Sequence, residues 1–179
     1  SLAKEYVINN INMVSVYPDV NYSSLKKSIS SYCKCNENNI VLGSGATELI
    51  SSFINTIKPK KAVLISPAYS EYERELKKHN CEIIKYFSRD YNDFKIDTIE
   101  LVDFINEHES DLIIICNPNN PTGFTFSKFE MEVILNNTKA FVMVDETYVE
   151  FTNTKIYSST PLVDKHDNLF VIRGTSKFF

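Results

Sequence analysis

Glycine is scarce in this chain: four among 179 residues, at positions 43, 45, 123 and 174. The residues that permit positive φ and close backbone approach are thus concentrated at a few points. Basic charge is also short. Nineteen Lys and Arg stand against 23 Asp and Glu, a formal charge of −4, which argues against a nucleic-acid surface because phosphate backbones are held by clustered cations. No apolar run approaches the roughly 20 residues that span a bilayer, so no membrane partner is expected. The opening, SLAKEYVINN, has no basic segment followed by an apolar one and no initiator Met; it reads as a trimmed front without a leader. Metal-ligand spacing is missing too. Cys33, Cys35, Cys81 and Cys116 have no His–Cys cluster beside them, and His79, His108 and His166 stand apart. No metal is expected, and reduced thiols in the cytoplasm are.

What is present suits one soluble domain with a real core: 43% hydrophobic and 23% charged residues. Apolar runs fall at 39–43, 62–66, 81–87, 111–116, 140–144 and 169–172. Most are continuously apolar, as strands buried on both faces of a parallel sheet are. Between them apolar residues recur at helical spacing: Leu25, Ile29 and Tyr32; Leu49, Ile50, Phe53, Ile54 and Ile57; Ile99, Val102 and Ile105; Phe129, Val133 and Ile134. Ser70 and Glu73 have the spacing of a capping box for a helix running to about His79. The alternation predicts an α/β fold, a mostly parallel sheet with helices on both faces. Each glycine lies just past an expected strand, at the edge where open α/β sheets bind ligands.

Four stretches at that edge carry chemistry. GSGATELI, 43–50, runs two glycines into a helix start, and free N–H groups with the helix dipole make an anion site at Gly45, Ala46 and Thr47. Alone it fits an ordinary strand–helix turn equally well. CNPNNPTGF, 116–124, has two Asn-Pro steps that forbid helix and can hold Asn120 at a fixed orientation. VMVDETYVEF, 142–151, ends a buried strand on Asp145 and Glu146. Without further metal ligands, Asp145 suits a cationic organic nitrogen, while Glu146 fits a helix-capping acid better. RGTSKFF, 173–179, frames Lys177, the residue type that forms a Schiff base with an aldehyde. One ligand answers all four: a phosphate for the helix end, an aldehyde for Lys177, a protonatable ring nitrogen for Asp145, and a ring hydroxyl for Asn120 and Tyr148. That ligand is pyridoxal 5′-phosphate.

Together with YPDVNY (17–22) and SPAYSEYERELKKHNCEI (66–83), these stretches follow one another in an order that resembles fold-type-I PLP-dependent aminotransferases of class I/II. Within that class the chain is similar to the branch holding histidinol-phosphate aminotransferase and threonine-phosphate decarboxylase. The resemblance implies that Lys177 bonds the cofactor and then moves the Cα proton, and that Asp145 pairs with the pyridinium. Asn120 and Tyr148 would bond the ring oxygen, and Tyr69 would stack on the ring. Ala46, Thr47 and Ser176 would hold the phosphate. Tyr17 would reach the phosphate of the partner subunit in a homodimer.

Two departures follow from the same resemblance. Relatives often carry Ser or Thr where this chain has Gly174, and Thr175 is a candidate substitute for that phosphate contact. The family also continues well past the lysine, with a phosphate-binding arginine, further strands and a small C-terminal domain. Residues 1–38 are then an N-terminal segment and helix, and 39–179 an incomplete PLP-binding large domain, expected to be inactive as it stands. The implied activity is transamination of an amino acid or amino phosphate. Decarboxylation of threonine phosphate is the alternative on the same cofactor. From another class comes a non-catalytic α/β domain that binds a nucleotide or partner.

Overall fold

The centre of the sheet is built from the runs with the most continuous burial, at 61–66, 112–116 and 141–145. In the computed structural model, which describes residues 2–178, β1 (Lys61–Ser66), β2 (Glu82–Phe87), β3 (Leu112–Cys116), β4 (Phe141–Asp145) and β5 (Leu169–Ile172) form one sheet in the order β2-β1-β3-β4-β5. Phe179, the last residue of RGTSKFF, and Ser1 lie outside the described residues. Every neighbouring strand pair is parallel. Parallel neighbours need long crossovers, here supplied by α4 (Ser70–Lys78) between β1 and β2, α5 (Thr98–Glu107) between β2 and β3, and α6 (Lys128–Asn137) between β3 and β4. The other described α-helices are α1 (Leu2–Asn9), α2 (Ser23–Cys33), α3 (Ala46–Ile57) and the single turn α7 (Thr154–Tyr157).

Side chains alternate across the sheet with the strand period of two. Val63, Ile65, Ile113, Ile115, Val142 and Val144 face α5 and α6, packing with Leu101, Ile105, Met131 and Ile134. Ala62, Leu64, Leu112, Ile114, Cys116 and Met143 face the other way, onto Ile50 and Ile54 of α3 and Tyr72 and Leu76 of α4. Helices therefore cover both faces, as the continuous apolar runs demanded. The alternation also sets the site. Asp145 follows Val144, so its side chain comes out on the α3–α4 face.

Two local expectations fail for identifiable reasons. Residues 39–43 do not form a strand: Ile40 is extended and buried, but Val41 is 69% exposed and no described segment pairs with them. An apolar run makes a strand only where a neighbour supplies the ladder. The Ser70–Glu73 capping box is not formed either. Tyr69 takes the cap position without a side-chain bond, and Glu73 reaches out to Lys77 (2.7 Å) and Lys85 (2.8 Å). The reciprocal box occurs instead at Ser127 and Glu130, opening α6.

Candidate active site

A cavity of about 310 Å³ opens at the C-terminal edge of the sheet, a volume within the range of small-molecule sites. It gathers Gly45, Ala46, Thr47, Tyr69, Asn120, Asp145, Tyr148, Ser176 and Lys177, nine of the residues singled out in the sequence. Tyr17 is not among them; it is 87% exposed on a separate stretch. Thr175 lines the neighbouring groove with Gly43 and Arg173.

Each element delivers its residue for a physical reason. Gly45 precedes α3 with φ 105° and ψ 163°, a conformation that needs glycine. The turn it makes leaves the first N–H groups of α3 facing the cavity without intrahelical partners. Asn117 pins the loop after β3: its Nδ2 donates to Phe126 O (3.0 Å) and Tyr157 O (3.1 Å), and its Oδ1 accepts from Phe126 N (2.8 Å). Asn119 Nδ2 ties the same loop to Pro67 O at 3.0 Å. Asn120 projects from a loop fixed on both sides.

Asp145 is 5% exposed, and both of its oxygens are held. Oδ1 accepts from Thr147 N (3.0 Å) and Thr147 Oγ1 (2.5 Å), and Oδ2 accepts from Tyr72 Oη at 2.7 Å. Burial first, and the Asp145 carboxylate second, push the Tyr72 phenol far above its usual range, so it is the donor. Burial and Asp145 likewise raise the Cys116 thiol to about 11, keeping it protonated. A carboxylate so buried and oriented is the partner expected of a cation placed in the cavity. Tyr69 stands at the mouth, its ring 5.6 Å from that of Tyr72 and nearly perpendicular to it.

The sequence reading missed Tyr72 and Thr147. Tyr72 sits at helical spacing among apolar residues and reads as core; Thr147 follows two acids and reads as loop. The signal for both was the strand period, which turns Asp145 toward α4.

Glu146 points the opposite way and is fully buried. It accepts from Ser158 Oγ (2.8 Å) and Ser159 N, and pairs with Arg173 Nη1 at 3.5 Å. Burial raises its pKa to about 7 against the pull of those donors. The helix-cap reading of Glu146 thus gives way to a structural one, the pinning of the 158–160 segment. Among the described residues no group of three His, Cys, Asp or Glu could hold a metal ion, and no helix is long and apolar enough to cross a membrane.

The doubly covered parallel sheet with this cavity at its C-terminal edge matches a known architecture. The chain belongs to the aminotransferase class I and II family, whose model matches residues 2–179. It is 38% identical over 170 residues to a protein of Caldanaerobacter subterraneus subsp. tengcongensis with the provisional name threonine-phosphate decarboxylase, covering 93% of this chain and 46% of that one. The crystal structure of histidinol-phosphate aminotransferase from Clostridium acetobutylicum superposes with a TM-score of 0.83 at 34% identity, over 98% of this chain and 51% of that one. The same enzyme from Sinorhizobium meliloti, solved with pyridoxal-5′-phosphate, shares the fold at 18% identity and TM-score 0.81, over 96% and 47% of the two chains. The chain spans about half the length of the curated relatives it matches. The cofactor of the family is pyridoxal 5′-phosphate.

Proposed function

We propose that the whole protein is a PLP-dependent aminotransferase acting on an amino acid or amino phosphate. The observation that carries this reading is the convergence of Lys177, Asp145, Asn120, Tyr148 and the start of α3 on one cavity. The donor set fits the cofactor. A helix end suits its phosphate, a buried oriented carboxylate its pyridinium, two amide or phenol donors its ring oxygen, and a cavity-lining amine its aldehyde. The same convergence speaks against a domain that merely binds a nucleotide, which would have no use for the lysine and aspartate.

When bound, the cofactor supplies an electron sink for the substrate's Cα. The rest is the work of this chain. Ala46 N, Thr47 N and Oγ1, and Ser176 Oγ bind the phosphate. Asp145 holds a proton at the ring nitrogen, kept in place by Thr147 and Tyr72. Asn120 and Tyr148 would donate to the ring oxygen, and Tyr69 would pack against the ring. The Lys177 amine would hold the cofactor's aldehyde end and, when free, would take the proton from Cα and return it. Tyr17, exposed at 87%, reaches the partner's phosphate in a homodimer. Residues 39–179 form the cofactor domain and 1–38 lead into it.

The second reading, decarboxylation of an amino-acid phosphate on the same cofactor, is favoured by the 38% identity to the Caldanaerobacter protein. The two differ in which Cα bond breaks, and product analysis separates them. Keto product from an amino phosphate supports transamination; CO₂ release with retention of the amine supports the alternative. The shared chemistry is tested by titrating the whole protein with PLP and following visible absorbance. A band that appears in wild type and is lost in Lys177→Ala is expected; its persistence in that variant overturns the reading.

A further inference from the structure

Arg173 follows the last residue of β5 and stands four positions before Lys177, yet it does not line the Lys177 cavity. Its side chain turns behind the cavity wall and is only 18% exposed. There Nη1 pairs with Glu146 Oε2 at 3.5 Å and donates to Ser158 Oγ at 3.3 Å. Nη2 pairs with Glu150 Oε1, on the short 3-10 turn Val149–Phe151 just after Tyr148. The guanidinium also lies 5.8 Å from the centre of the Tyr32 ring, and Tyr32 Oη donates to the same Glu150 oxygen at 3.3 Å.

The cluster joins three pieces of the site from behind. Glu146 is the neighbour of Asp145, Glu150 stands two residues from Tyr148, and Arg173 opens the loop that ends at Lys177. The backbone reinforces the first link, since Glu146 N donates to Ile172 O at 2.9 Å. Past Arg173 the chain has no helix or strand up to Lys177. A Cβ at Gly174 would meet Thr147 at an ordinary 3.7 Å and Ser176 Oγ at 4.0 Å, so packing there is loose. The guanidinium is the last rigid anchor before the lysine, and its planar fork holds two carboxylates in a fixed geometry that an ammonium could not.

We propose that Arg173 is a positioning residue for Lys177: its ion pairs with Glu146 and Glu150 set where the Lys177 amine stands relative to Asp145. This rests on the PLP reading above. A displacement of about 1 Å at a reacting amine costs on the order of 10²-fold in reactivity, so a slackened loop weakens covalent capture before it weakens phosphate binding.

The test separates those two effects in the whole protein. PLP can bond Lys177, with loss of its aldehyde oxygen as water; pyridoxine 5′-phosphate carries an alcohol and cannot. The ratio of their dissociation constants reports the contribution of Lys177. Arg173→Met is expected to shrink that ratio by about tenfold while pyridoxine 5′-phosphate affinity changes little, and Arg173→Lys is expected to restore part of it. If Arg173→Met does not fold, Glu150→Gln, which removes one arm of the clamp, carries the same comparison with a smaller drop. An unchanged ratio in a variant whose melting temperature falls shows a purely structural arginine and overturns the proposal. A wild-type protein that binds neither compound overturns the PLP reading and this inference with it.

Discussion

Tyr72 Oη donates to Asp145 Oδ2 at 2.7 Å, joining helix α4 to the end of strand β4 through two buried side chains. With Thr147 holding the other oxygen, the carboxylate is oriented before any ligand arrives. Removing the phenol leaves a buried charged acceptor with one partner fewer, a loss of about 1.5–3 kcal/mol. Tyr72→Phe should lower stability by that amount in urea unfolding. A variant as stable as wild type would show that solvent, not Tyr72, satisfies Asp145.

Asp145→Asn should leave the fold intact, because an amide can still accept from Thr147 and donate toward Tyr72. It cannot hold a proton at a ring nitrogen as a carboxylate does. Exchange of the substrate Cα hydrogen for deuterium should slow by orders of magnitude more than PLP affinity falls. Equal losses in both would reduce Asp145 to a binding contact.

Gly45→Ala tests the anion site. At φ 105° and ψ 163° the backbone lies where side chains are strained by about 1–3 kcal/mol, although a Cβ there would meet nothing within 4 Å. The loss of stability should therefore come from the backbone alone, with phosphate affinity falling as the start of α3 shifts. Thermal melts with and without PLP read both effects.

Much of the fold was legible because five of the six apolar runs found neighbours. Ile113 and Ile115 face one layer and Ile114 the other, so a continuous run was the right sign of a doubly covered strand. The run at 39–43 carries the same composition and fails for lack of a partner, which composition cannot reveal. Lys177, Asp145 and Asn120 were singled out from stretches that follow apolar runs, and the fold brings all three to one cavity. Tyr72, Thr147 and Arg173 were not assigned, because their roles depend on which carboxylate each one meets in the folded chain.

The buried Glu146 predicts a pH dependence of stability. Its folded-state pKa, raised to about 7, exceeds the ordinary 4.5, so the folded chain holds this proton more tightly than the unfolded one. Its contribution is most favourable below about pH 4.5 and declines as pH rises through 7, by up to about 3 kcal/mol. Arg173, Ser158 and the Ser159 N–H oppose that rise without cancelling it. Urea midpoints between pH 5 and 8 should fall for wild type and flatten for Glu146→Gln. An equal slope in both would assign the dependence elsewhere.

The most direct test of the account is to reduce the PLP-loaded whole protein with borohydride, digest it, and map the modified peptide by mass. The account predicts a single stoichiometric adduct on Lys177, absent from Lys177→Ala. An adduct on any other lysine, or none in a protein that turns over an amino substrate, would contradict it.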